Sequence, residues 1–182
     1  MIKVISKIKI KIQYLFELIY KYLYINFYFD KKEILNLEKS KFKKLKLDEN
    51  ESEIKLNKII KASIGRKYNS DLDSVHWKIF SALSLNQNRY QKILEIGTYD
   101  GQFTYFLSRM FPKSLITTID LPKSDPLLKN FYNRSSANNF NKYHKTQKKN
   151  TNYKNIKSIK TNTFFLFEIL DDKERFDLIW VD

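Results

Sequence analysis

Apolar residues change period several times along this chain, and each change marks an element. Near the start Ile5, Ile8, Ile12, Leu15, Ile19 and Tyr22 recur at alternating steps of three and four, which predicts a helix. Ile8, Ile10 and Ile12 also alternate with lysines, the period of a strand. From Asp30 to Ser70 apolar residues thin out and Lys and Glu a turn apart take over, predicting exposed helix or a solvated connector. Ile54, Ile59 and Ile60 give that stretch one short helix with a narrow stripe, and Gly65 suits its C-terminal cap. Asp73 or Ser74 then caps a helix carrying Val75, Trp77, Ile79, Phe80, Leu83 and Leu85, which runs into the loop Asn86-Gln87-Asn88.

The period then shortens. Ile93-Leu94-Glu95-Ile96 is the short apolar run of a buried parallel strand. Gly97 and Gly101 bracket a tight turn, and Phe103 to Leu107 with Met110 and Phe111 return to helical spacing until Pro112. Leu115 to Ile119 is a second strand, ending at Asp120. Strand, glycine turn, helix, strand and acid make one half of a nucleotide-binding α/β unit. Leu121-Pro122 and Asp125-Pro126 are turns. In the basic crossover 127–155, Leu127, Leu128, Phe131 and Tyr132 predict a helix, and the remainder reads as polar and loop-rich. Ile156 to Lys160 alternates as a third strand and ends at Thr161-Asn162-Thr163. An apolar helical run from Phe164 to Leu170 and an acidic turn lead to a last strand through Trp180, with Asp182 at its tip.

The turn unit has a chemical logic. Glycines let the backbone approach a ligand that a Cβ would push away. An acid at the second strand tip can accept two hydrogen bonds from ribose hydroxyls, and the right-handed crossover sets the two tips side by side. A dinucleotide fingerprint reads G-x-G-x-x-G, because a pyrophosphate must sit on the helix N-terminus. Here the spacing is Glu95-x-Gly97-x-x-x-Gly101, with Tyr99 at the middle position, which argues against an NAD-dependent oxidoreductase. An acid just before the turn suits a ligand that lacks phosphates and carries a sulfonium and a free amino group.

At these residues the sequence resembles the class I S-adenosylmethionine-dependent methyltransferases. ILEIGTYDG is similar to the O-methyltransferase branches that act on small molecules and sugars. The family's first motif is usually richer in glycine, so Tyr99 is a departure. The resemblance covers residues 74–182. It implies an α/β fold, a Rossmann-like parallel sheet of strand order 3-2-1-4, behind a basic helical extension over 1–70. It implies that Glu95, Gly97, Thr98, Tyr99, Gly101 and Asp120 hold S-adenosylmethionine, and that Asn162 flanks the adenine. It places Asp182 beside the chemistry, where metal-dependent members ligate a divalent cation. The complete family sheet continues past a fourth strand, so this domain, 71–182, reads as incomplete and the chain as truncated. The expected activity is methyl transfer to an oxygen of a small molecule or sugar; the alternative is a truncated, non-catalytic fragment. The fourth strand would be an exposed edge inviting self-association.

The resemblance also puts the helix before the first strand beside the cofactor pocket. His76 and Trp77 then face the site, or else Trp77 is core and His76 lies on the surface. Arg134, Lys142 and Lys145 of the crossover gate the pocket or meet an anionic acceptor, or else belong to a variable surface insertion. His144 has no evident role.

Charge adds little. The 182 residues carry 34 Lys and Arg against 20 Asp and Glu, a net +14 that would suit nucleic acid or an anionic membrane. The basic residues are nearly all Lys amid abundant Ile and Asn, with no Arg cluster and no zinc-finger spacing, so nucleic acid is not expected. Lys11, Glu17 and Lys21 interrupt any membrane span, and no signal-peptide cleavage site is visible. Residues 1–29 can still lie on a membrane surface, or pack as a plain helix. The absence of cysteine removes disulfides and thiolate metal sites and fits a cytoplasmic protein.

Overall fold

Four parallel strands frame the structure, a computed structural model that describes residues 16, 19, 23, 31–70, 73–130, 137–171 and 173–182. They are β1 (Lys92–Ile96), β2 (Leu115–Asp120), β3 (Ile156–Lys160) and β4 (Leu178–Val181). Their order is β3-β2-β1-β4, the predicted Rossmann-like arrangement, and every pairing is parallel. Register sets the functional edge. Ile96 pairs with Ile119 and Val181, and Asp120 pairs with Lys160, so Gly97, Asp120 and Asp182 emerge from one end of the sheet.

The chain divides into two compact units, Met1–Asp48 and Glu49–Asp182. In the first, helix α1 spans Lys31–Lys44, and residues 16, 19 and 23 are helical. The reading of 1–29 as a membrane-surface segment otherwise lies outside the described residues. Among the described residues no helix is long and apolar enough to cross a membrane.

The second unit begins at Glu49. Its helices are α2 (Glu49–Ile64), α3 (Val75–Leu83) and α4 (Gln102–Met110). They cover one face of the sheet. Leu56 and Ile60 of α2, Phe80 of α3, and Phe106, Leu107 and Met110 of α4 bury against Ile93 and Ile116. α2 is therefore not a solvated connector. Its inward stripe is Ser52, Leu56 and Ile60, while Ile54, expected on it, is 70% exposed. Polar ties reinforce the packing. Lys78 of α3 reaches Glu49 at 2.6 Å, and the Lys55 amine donates to the Ser84 carbonyl at 2.9 Å and the Met110 carbonyl at 3.1 Å. Carbonyls at helix C-termini lack intrahelical partners, so a partly buried ammonium satisfies them well. Ile60→Val should cost about 1 kcal/mol in urea unfolding, as a core methyl does. A connector position would show no change.

The first turn region forms as its residues require. Gly101 supplies no capping side chain to α4, and Asp100 Oδ1 accepts from the Gln102 amide at 3.0 Å instead. Residues 84–89 make a 3-10 segment. On the opposite face Leu94, Thr117 and Ile119 are buried, while Ile179 and Val181 of the edge strand β4 are more than half exposed.

The crossover differs most from expectation. α5 is short (Pro126–Asn130), and the stretch expected to be loop-rich forms α6, Ala137–Thr151. Phe140, Tyr143 and Gln147 recur at three and four and are its buried side chains among many Lys and Asn. After β3 the chain makes a 3-10 turn at Thr163–Phe165 and one turn of α7, Leu166–Ile169. Its aromatic residues face outward: Phe164 is 91% and Phe167 86% exposed.

Candidate functional site

The site is the edge where β1, β2 and β4 end. Gly97 has φ +98, and a Cβ there would sit 3.0 Å from the Asp182 carbonyl oxygen. The Asp182 amide donates to Ile96 O at 2.9 Å, which fixes the β4 tip against the glycine bend. Tyr99 adopts φ +48, a left-handed conformation in which glycine is the comfortable residue, so the turn keeps its geometry despite a bulky side chain. Its ring is half exposed and its carbonyl accepts from Gln147 of α6.

Asp120, at the β2 tip, lies on the other side of that amide. Oδ1 accepts from the Leu121 amide at 3.0 Å. Oδ2 accepts from Tyr143 Oη at 3.0 Å and Gln147 Nε2 at 2.6 Å, and Lys160 Nζ lies 3.8 Å away. The same Gln147 nitrogen donates to the Tyr99 carbonyl at 2.6 Å, so one side-chain amide bridges the glycine turn and the carboxylate. Lys160 Nζ also donates to Gln147 Oε1 at 2.7 Å. Burial lowers the Lys160 pKa, and the charges of Asp120 and Glu95 oppose that shift.

Not every predicted residue reaches this edge. Glu95 is 1% exposed and lies beneath the turn; Thr104 and Thr118 hydroxyls donate to its Oε2 at 2.5 and 2.6 Å. Burial pushes its pKa up to about 7; the two hydroxyls pull it down, and Asp182 and Asp120 push it further up. Thr98 is also buried, its hydroxyl 2.6 Å from that of Thr118. Gly101 (φ +76) makes room for α6: a Cβ would come within 3.1 Å of Asn150 Cβ and Thr151 Cγ2. Asn162 accepts from the Phe164 amide at 3.0 Å, the ordinary work of a turn cap. Asp182 is exposed, and among the described residues no three His, Asp or Glu side chains gather where a metal could be held.

His76 is not a surface histidine. It stacks on Trp180 (centroids 4.5 Å apart, planes at 26°) and meets the Phe103 ring at 4.4 Å. Burial lowers its pKa, opposed by the Asp182 charge. Trp77 packs on Phe106 at 4.7 Å and belongs to the core. Lys142 and Lys145 lie on the exposed side of α6, and Arg134 falls outside the described residues. Sequence reasoning missed Tyr143, Gln147 and Lys160. Only the spacing of Phe140, Tyr143 and Gln147 hinted at a buried helical stripe.

Glycine bend, acid tip and strand order define a Rossmann-like α/β domain with the bend and both acid tips at the carboxyl edge of its sheet. No family model matches the sequence, and no curated protein matches it. Among solved structures the chain is similar to the SAH-bound Podospora anserina methyltransferase PaMTH1, at 17% identity and a TM-score of 0.43 over 85% of this chain and 58% of that one. It is also similar to the O-methyltransferase TomG from Streptomyces achromogenes, solved with SAM, at 21% identity and a TM-score of 0.37 over 84% of this chain and 62% of that one. The chain thus spans less than two thirds of each of these proteins. Likeness at these values decides nothing about the ligand, and the fold rests on the chain's own strand order.

Proposed function

We propose that this chain binds S-adenosylmethionine at the tips of β1, β2 and β4, as part of an enzyme that methylates an oxygen of a small molecule or sugar. One observation carries the reading: a single nitrogen, Gln147 Nε2, lies 2.6 Å from both the Tyr99 carbonyl and the Asp120 carboxylate. Acceptors that close present themselves to one nucleoside, with Asp120 suited to the ribose hydroxyls and the turn to the amino-acid end. Glu95 would act from below, as buried negative charge beneath a cationic ligand. When bound, the cofactor supplies an electrophilic methyl group; the residues here would supply position. On the β4 side, Asp182 and His76 are the groups this reading assigns to the proton an oxygen acceptor gives up. Asp182 belongs to no group of three or more His, Asp or Glu side chains among the described residues.

The NAD reading is disfavoured by the turn's spacing, which lacks the G-x-G-x-x-G that seats a pyrophosphate on the helix N-terminus. A non-catalytic chain remains the second reading, favoured by the seating of α6 on Asp120. Calorimetry with S-adenosylhomocysteine separates the two. Binding that NAD does not displace supports the first; no heat at millimolar ligand supports the second. On a Gln147→Ala background, where that amide no longer competes for the carboxylate, Asp120→Ala should weaken binding by about 1–3 kcal/mol, the worth of hydrogen bonds to a charged acceptor. Unchanged affinity on that background would remove Asp120 from the site.

A further inference from the structure

α6 does not take the usual path of a crossover helix. A helix joining parallel strands normally lies along the sheet face. Here the Asn150 amide donates to the Asp100 carbonyl at 3.0 Å, so the last turn of α6 sits above the N-terminus of α4. The stretch after Thr151 makes the descent. Tyr153 packs on Tyr105 at 5.2 Å, and the Asn155 amide reaches the carbonyls of Ser108, Phe111 and Ser114 at 3.3 Å, beside the far end of α4. The buried side chains of α6 accordingly meet the strand tips and the loops behind them: Leu121, Leu128, Tyr99, Asp120 and Lys160.

What α6 places there has a definite chemistry. Tyr143 presents an O–H and Gln147 an N–H to the Asp120 carboxylate. Two convergent donors on one carboxylate are what the vicinal diol of a ribose offers. Gln147 is 3% and Tyr143 9% exposed, so neither is a casual surface contact. A primary amide has two hydrogens, and the two shortest bonds of Nε2, to Tyr99 O and Asp120, use both. Oε1 is taken by Lys160. A buried amide costs stability unless its bonds are made, and here Tyr99 O, Asp120 and Lys160 make them.

We propose that the Tyr143–Gln147 edge of α6 is an internal occupant of the nucleoside site, and that S-adenosylmethionine binds by displacing it. The proposal rests on the cofactor reading above and concerns its regulation. Asp120 cannot take both hydroxyls of a ribose while α6 is seated: of its roughly four lone-pair sites, Leu121 N–H uses one on Oδ1 and Tyr143 and Gln147 use both on Oδ2. Exchange is nonetheless balanced, since a diol returns the donors that the side chains withdraw. The apolar anchor to be loosened is small: Leu128, Phe140 and Tyr143, with Leu121 partly covered. The other faces of α6 carry exposed lysines.

Variants of α6 give the clean test, because Asp120 variants would lose both partners together. S-adenosylhomocysteine is titrated by calorimetry into the full chain, Gln147→Ala and Tyr143→Phe, and hydrogen exchange of residues 137–151 is followed with and without ligand. Displacement predicts about tenfold tighter binding in Gln147→Ala, because the competent state no longer competes with the latch. A smaller gain is expected for Tyr143→Phe, which loses one donor and little packing. It also predicts faster exchange in α6 of the wild-type chain once ligand is added. Equal affinities in all three chains overturn the proposal and leave the cofactor reading standing. Weaker binding in Gln147→Ala, or slower exchange in α6 with ligand, would mean that α6 closes over the cofactor, and also overturns it. No binding to any chain removes the cofactor reading and this inference together.

Discussion

Raising the pH from about 4 to about 8 is expected to take about 3 kcal/mol from the folded chain through Glu95 alone, and Glu95→Gln should abolish that loss. The carboxyl is 1% exposed, and burial is the main cause that lifts its pKa from 4.5 to about 7. The nearby charges of Asp182 and Asp120 act in the same direction, against the hydroxyls of Thr104 and Thr118. The folded chain therefore holds this proton more tightly than the unfolded chain. Its contribution to stability is complete below the unfolded pKa of 4.5 and is lost as the pH rises to about 7. Above that the curve is flat. A neutral glutamine keeps an oxygen for the two threonines and has no proton to lose. Urea unfolding of both chains across this range measures the difference directly. Other titrating groups are common to both, so they cancel. Parallel curves would mean that Glu95 reaches water in the folded chain. The same carboxyl gives cofactor binding a pH dependence: a cationic ligand above it favours the ionised form, so affinity should rise with pH through about 7.

The sheet and half of the site could be read from the sequence because both depend on local signals. Buried parallel strands are short apolar runs, and Ile93–Ile96 and Leu115–Ile119 stand out against a lysine-rich background. The chain has 3 glycines, and two of them bracket the functional turn. α2 and α6 were harder for opposite reasons. In α2 the apolar residues outnumber the inward positions, so Ile54 is exposed and the true stripe of Ser52, Leu56 and Ile60 includes a polar residue. Ser52 can be buried because its hydroxyl donates to the Glu49 carbonyl at 2.7 Å and its carbonyl accepts from Ser81 at 2.7 Å. In α6 the inward residues include a glutamine whose partners lie 27 and 48 positions away in sequence. No periodicity registers a polar side chain buried by long-range hydrogen bonds. The same applies to His76, whose ring is held by Trp180 on a strand formed much later in the chain.

Gly97→Ala should be the most damaging small change at the site, destabilising the chain by about 2–5 kcal/mol and abolishing cofactor binding. The three glycines share a positive φ, so an alanine is strained at each. They differ in what a methyl group would meet. At Gly65 there is nothing within 4 Å, and the cost is backbone strain alone. At Gly101 the methyl would meet Asn150 and Thr151 side chains at 3.1 Å, and α6, with its small anchor, can give way. At Gly97 it would meet the Asp182 carbonyl oxygen at 3.0 Å and Asp182 Cβ at 3.4 Å. That backbone is held by the hydrogen bond from the Asp182 amide to Ile96 O, so relief requires parting the tips of β1 and β4. The expected order of destabilisation in urea is Gly97→Ala, then Gly101→Ala, then Gly65→Ala. Binding separates the first two again. Gly101→Ala loosens the seat of α6 and should retain or improve affinity for S-adenosylhomocysteine, whereas Gly97→Ala deforms the bend that the ligand would touch. If Gly97→Ala costs no more than Gly65→Ala, the β4 tip does not lie against the glycine bend, and Asp182 has no place in the site.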